Sequence, residues 1–195
     1  FTFIRPLGFS AGEDFPPRFP HDLQDYIKRQ NCHHYCHAMP NERALIAAFL
    51  NKVQTIDPDV MASHNLFGFE FDVILSRAKE HKVASWDRLG KLKRSRVPKN
   101  INDPSLCGRL FCDTYKASKE FLRETTYSLT HLTEAHLKKK RIEVDPIDVP
   151  RFFSNSGDIF KIYQHTENDT LLVQSLMMRL QCVPLTCQLT RLSGN

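Results

Sequence analysis

Ile56-Asp-Pro-Asp-Val-Met-Ala-Ser-His-Asn-Leu-Phe-Gly-Phe-Glu-Phe-Asp-Val-Ile-Leu75 reads as a turn, a strand and the opening of a helix. Asp57-Pro58 makes the turn, because the residue before a proline is pushed out of helical geometry. Residues 60–63 are a short apolar run closed by His64-Asn65, the pattern of a buried strand. Phe71, Ile74, Leu75, Ala78 and Lys82 then recur at helical spacing. Upstream, Ala44, Leu45, Ala48, Phe49, Val53 and Ile56 have the same period, with Pro40 suited to the helix start.

Further out, residues 1–6 read as a short strand ended by Pro6, and 7–20 as a loop rich in Pro and Gly. After a low-pattern loop over 100–105, residues 109–113 read as a strand. Leu129, Leu132, Ala135 and His136 mark another amphipathic helix. Residues 145–150 read as a connector, 159–180 as a helix with a break, and 183–192 as extended chain. No internal repeat is present. Strands alternating with helices imply an α/β or α+β layer fold.

The chain has 195 residues, 41% hydrophobic and 25% charged, which suffices for one domain with its own core. No stretch approaches the roughly 20 apolar residues of a membrane helix, so no membrane partner is expected. Six cysteines fall in loose pairs rather than the tight repeat of a zinc ribbon, and a reducing, intracellular compartment is the simpler reading. The donors in Asn31-Cys-His-His-Tyr-Cys-His37 crowd one short loop and can hardly wrap a single ion tetrahedrally, so no metal is expected there. The net charge of +5 is concentrated: Arg88, Lys91, Lys93, Arg94, Arg96 and Lys99 follow one another without an acid between them. Such a run is either a solvated loop or a set of phosphate contacts. Phe1 stands where an initiator Met would, and we expect a piece cut from a longer protein.

The opening stretch resembles a segment of the exonuclease-like domain of family B DNA polymerases, with Asp57-Pro58-Asp59, an apolar run, and His64-Asn65 before a helix beginning near Phe71-Asp72. Trp86-Asp-Arg-Leu-Gly-Lys-Leu-Lys-Arg-Ser-Arg-Val-Pro-Lys99 is, within that family, most similar to the alpha-type enzymes. Val183-Pro-Leu-Thr-Cys-Gln-Leu-Thr-Arg-Leu-Ser-Gly-Asn195 resembles the passage towards the polymerase palm. Cys107-Gly-Arg-Leu-Phe-Cys-Asp-Thr114 and Tyr127-Ser-Leu-Thr-His-Leu132 fall between them in the expected order.

This resemblance implies an α/β, ribonuclease H-like exonuclease fold: a mixed central sheet flanked by helices, its first strands preceding Phe1. The domain would cover 1–181, and 182–195 would open the passage to the palm. The parent would be a nuclear, Mg²⁺-dependent DNA-directed DNA polymerase that extends RNA primers on template-primer DNA, together with primase and accessory subunits.

Proofreading domains of this family cut with two metal ions about 4 Å apart, which demand closely spaced carboxylates. Here the Asn-x-x-x-Phe-Asp motif reads Asn65-Leu-Phe-Gly-Phe-Glu70, so Glu70 stands where the family has a metal-binding Asp. Asp72 is a poor substitute, on another face of the helix. For the Tyr-x-x-x-Asp motif, an ungapped alignment places His165 and Asp169. The competing register is Tyr163 with Glu167. No Asp-x-Glu, the first motif, occurs in the chain. The resemblance thus implies a degenerate nuclease site and no catalytic residue or cofactor in this segment. An active 3′–5′ proofreading domain and a protein-interaction module centred on 10–40 are the alternatives.

More ordinary roles stand beside these. Glu70, Asp72 and Asp169 also read as helix-surface carboxylates, His64 as a packing residue, and Phe121, Phe152 and Phe153 as core or interface rather than base-stacking rings.

Overall fold

In the computed structural model, residues 1–7, 18–32, 34–84, 89–91 and 108–194 are described. The expected loops at 7–20 and 100–105 fall largely or wholly outside that set.

Asn41 caps the first long helix, α2 (Glu42–Ile56), by accepting from the Ala44 N–H at 2.9 Å. Pro40 therefore precedes the cap rather than opening the helix. Ile46, Leu50 and Val53 turn inward, and Asp57 ends the helix in the left-handed region at φ 48°. The turn delivers β3 (Val60–Ser63), which pairs in parallel with β4 (Leu110–Asp113), Ser63 opposite Asp113. Between these strands lie a wide π-helical turn (Leu66–Glu70) and α3 (Phe71–Glu80). A second parallel pair joins β1 (Thr2–Ile4) to β2 (Cys36–Ala38), with α1 (Leu23–Arg29) between them. The fold is thus mixed α/β. Among the described residues the strands form two separate parallel pairs rather than one mixed central sheet.

After β4, Asp113 caps α4 (Thr114–Phe121). Next come α5 (Leu129–Leu132), continued by a π-helical turn (Thr133–Leu137), then α6 (Val149–Phe152), α7 (Ser156–Arg179) and α8 (Cys182–Ser193). Three expectations change here. The connector at 145–150 ends in α6, whose first turn tolerates Pro150 because its N–H is not needed there. The expected break in α7 is absent. The polar stretch satisfies itself within the helix, Thr166 and Thr170 donating to the carbonyls of Ile162 and Thr166, each at 2.9 Å.

Residues 183–192 are helical, not extended. Pro184 sits in the first turn of α8, and Thr186 and Thr190 bond back to Cys182 and Thr186 at 2.8 and 2.9 Å. No helix is long and apolar enough to cross a membrane among the described residues.

Leu50, fully buried, centres a core of Ile46, Leu66, Phe71, Ala78, Val83 and Leu89 between α2 and α3. A second core joins Ile4, Leu23, Ile27 and Cys36 to Ile159 and Tyr163 of α7. Burying a side chain of this size contributes about 2–3 kcal/mol; the second core fixes α7 against the β1–β2 pair, while Met177 of α7 packs with Cys112 of β4 and with Cys182. That placement sets one wall of the site.

Candidate functional site

A cavity of about 660 Å³ opens between the end of β3, the π-helical turn and the middle of α7. Three sequence-expected residues meet on its wall: Glu70, His165 and Asp169. One turn of helix separates His165 from Asp169, so a single face of α7 presents both, with Nε2 and Oδ2 3.5 Å apart. The alternative register does not reach the wall. Tyr163 is buried in the second core, and Glu167 is exposed.

Glu70 ends the π-helical turn, which carries its carboxylate back to accept from the Ser63 hydroxyl. Burial pushes its carboxyl above the ordinary value; the Ser63 bond opposes the rise and nearby Asp113 adds to it. Asp72 is exposed on α3 and lies off the wall. Asn65, the first residue of that motif, also lies off the wall. It holds the left-handed conformation at φ 69°.

Asp113 fixes this corner. Its buried carboxylate accepts from the Asn65, Phe67 and Tyr115 N–H groups at 2.9, 3.2 and 3.0 Å, tying the π-helical turn to the start of α4. His64 is a wedged packing residue. Its Nε2 donates to the Tyr127 carbonyl at 3.0 Å and its Nδ1 lies 2.9 Å from the Thr114 hydroxyl. Burial holds its pKa below the ordinary value.

One charged wall residue escaped sequence reasoning. Arg141 grips both oxygens of Asp169, Nε to Oδ1 at 2.7 Å and Nη2 to Oδ2 at 2.6 Å, and donates from Nη1 to Thr130 Oγ1 at 3.1 Å. The Asp169 bonds raise the guanidinium pKa, keeping it cationic. Arg141 comes from a stretch without periodicity, so no local signal marked it. Asp113 was quoted only as part of a segment, although an Asp at a strand's end before a helix is a capping signal.

Of the basic run, Lys91 alone is described. Its ammonium pairs with Asp59 and lies 3.8 Å from Asp57. Arg88, Lys93, Arg94, Arg96 and Lys99 lie outside the described residues. Arg109, its side chain 2% exposed, donates to the carbonyls of Leu89 and Pro58 and pairs with Asp57 at 2.9 Å, joining the turns that carry these charges. Phe153 packs on the second core and Phe121 is exposed. Within residues 31–37, Cys36 and His37 belong to β2 and His33 is not described. No cluster of metal-ligating side chains is present among the described residues.

The carboxylates thus meet in a cavity beside a parallel strand pair and a long helix of a mixed α/β fold. Residues 22–132 match DNA polymerase family B, exonuclease domain, and the chain belongs to that family. Over its whole length it is 37% identical to the DNA polymerase alpha catalytic subunit of Sterkiella nova, of which it covers 14%. It is 41% identical over 80% of its length to that of Oryza sativa subsp. japonica, covering 11% of that protein. With that of Mus musculus it shares 33% identity over 91% of its length, covering 12%. The chain therefore spans only a small part of the curated relatives it matches.

Proposed function

We propose that this chain is a non-cutting, exonuclease-like scaffold within an alpha-type DNA-directed DNA polymerase. The single observation that carries the reading is the bidentate Arg141–Asp169 pair. A two-metal nuclease needs the oxygens of such an aspartate free for cations. Here a guanidinium holds both, and the second carboxylate is Glu70, bonded to Ser63. The described carboxylates therefore do not fit a divalent pair and would support no metal-assisted hydrolysis.

The arrangement would be ribonuclease H-like, as the family resemblance implies, with the two parallel pairs as parts of a larger sheet. Residues 182–195 would lead towards the palm, where Mg²⁺ and the nucleotidyl-transfer carboxylates of the parent would reside. The parent would extend RNA primers on template-primer DNA in the nucleus, beside primase and accessory subunits, and the 88–99 run would meet phosphates. What supports this is the likeness to alpha catalytic subunits along the whole chain.

The test is an intact parent incubated with a 3′-labelled primer and Mg²⁺ or Mn²⁺, without nucleotides. The primer should keep its length. Robust shortening that disappears in Glu70→Ala would instead establish an active proofreading domain.

A further inference from the structure

We propose that the segment from Lys138 to Val144 is a docking strand for an extended peptide of a partner protein, acidic at the end that meets the lysines. From Lys138 to Asp145 the chain runs between the second π-helical turn and α6 without helix, turn or bend, and it belongs to neither strand pair. The N–H and C=O groups of residues 140–144 make no backbone hydrogen bond among the described residues. Such a path presents the free donors and acceptors of a sheet edge, the template to which a further strand adds.

The segment is held in place before anything binds. Arg141 is locked on Asp169, and Glu143 accepts from the Thr130 hydroxyl of α5. Side chains alternate along an extended chain, and Ile142, between these two anchors, is 75% exposed. A strand ordered in advance loses little entropy when its partner arrives.

Charge gives the partner its chemistry. Lys138, Lys139 and Lys140 are exposed, and the ion pairs of the segment are those of Arg141 with Asp169 and Glu143. Three ammoniums are thus uncompensated among the described residues. Lys138 ends the π-helical turn in the left-handed region at φ 56°, where glycine would fit without strain, so its ammonium is present in spite of the backbone. The neighbouring residues favour a peptide over a nucleic-acid strand. Glu143 and Asp145 follow the lysines and would repel a continuing line of phosphates. A peptide instead sets carboxylates against the lysines and an apolar side chain over Ile142. It also pairs with both N–H and C=O groups, whereas phosphates only accept.

The test uses random dodecapeptides displayed on phage and selected on the intact parent polymerase. Recovered peptides are synthesised with fluorescein and measured by anisotropy. Peptides are expected in which Asp or Glu adjoins a β-branched residue, and their binding should slow amide exchange at 140–144. Lys138→Glu with Lys139→Glu and Lys140→Glu should weaken them on the order of tenfold at low salt, and arginine at the same three positions should keep the affinity. Recovery only of peptides without acidic residues, unchanged exchange at 140–144, or affinity unmoved by the glutamate variant would each overturn the proposal. Displacement by oligothymidylate would assign the lysines to phosphates, and self-association lost in the glutamate variant would put a second copy in the peptide's place; either result would overturn it too. Primer shortening does not enter this readout, so the proposal stands or falls apart from the nuclease question.

Discussion

Arg141 and Asp169 meet through two parallel hydrogen bonds of 2.7 and 2.6 Å, with side chains only 20% and 23% exposed. A fork of this kind delivers charge and geometry together. It staples the segment after the second π-helical turn to the middle of α7, at the residue that the ungapped sequence register sets on the family's motif aspartate. The pair therefore acts on the shape of the site as well as on its chemistry.

Arg141→Met should loosen this corner. Asp169 would be left half-buried, with Glu70 on the same wall, and losing one partner of a partly buried pair costs on the order of 2 kcal/mol, between the exposed and fully buried limits. Amide exchange in the parent should accelerate over 138–170. Asp169→Asn added to Arg141→Met should recover part of the loss. Equal exchange in wild type and the single variant would contradict the staple.

Glu42 should set an acid limit for the N-terminal half. Its carboxyl is lowered to about 2, first by the Arg77 hydrogen bonds, against burial, and further by Arg5, Arg77 and His81. Arg77 Nη2 lies 2.6 Å from it, Arg5 3.2 Å and His81 3.5 Å. A depressed carboxyl contributes stability that is complete above the ordinary value and lost as pH falls through the folded one. Exchange protection of α2 and α3 should therefore decline from about pH 4.5 towards pH 2. In Glu42→Gln that decline should be shallower and neutral-pH protection lower by about 1–2 kcal/mol. An unchanged acid profile would remove Glu42 from this role.

The elements legible in sequence are those where one local signal suffices. Residues 60–63 are apolar and bounded by a turn, and 44–56 keep one period from cap to proline. Residues 183–192 misled because Pro184 and the β-branched threonines argue against helix, until the first-turn position of the proline and the threonine back-bonds are known. The site divides the same way. Glu70 and Asp169 could be singled out in sequence because their motifs are local, and both line the cavity. Arg141 reaches Asp169 across 28 residues of sequence, a meeting that only tertiary packing specifies.

The basic run should not act as a uniform set. Asp57 and Asp59 already neutralise Lys91. Each phosphate contact contributes about −0.9 to the slope of log affinity against log salt on duplex DNA. Lys93→Ala with Arg94→Ala in the parent should weaken template-primer binding at every sequence and flatten that slope, whereas Lys91→Ala alone should leave it nearly unchanged. Salt titrations by fluorescence anisotropy separate the cases. Identical slopes in all three proteins would assign the run to solvent or to a protein partner.

Gly68→Ala should change sign with the residue at position 65. A Cβ at Gly68 would overlap Asn65 Oδ1 and sit 3.1 Å from its Cγ, so the asparagine side chain must swing away. Crowding of this sort costs about 1–2 kcal/mol. Asn65 itself sits at φ 69°, a conformation glycine adopts without strain. In an Asn65→Gly background the three atoms nearest the new methyl group are gone. The ordinary preference of helical backbone for alanine over glycine, about 0.5–1 kcal/mol, then remains. Amide protection across the Leu66–Glu70 turn and the first turn of α3 should fall in the single variant and rise when the same change is made on Asn65→Gly. The difference between the two effects, a coupling of about 2 kcal/mol, is what a double-mutant cycle measures for two side chains in contact. Equal effects in both backgrounds would show that Asn65 does not govern packing over Gly68, and the tight approach of motif residue to turn would lose its role in shaping the Glu70 wall.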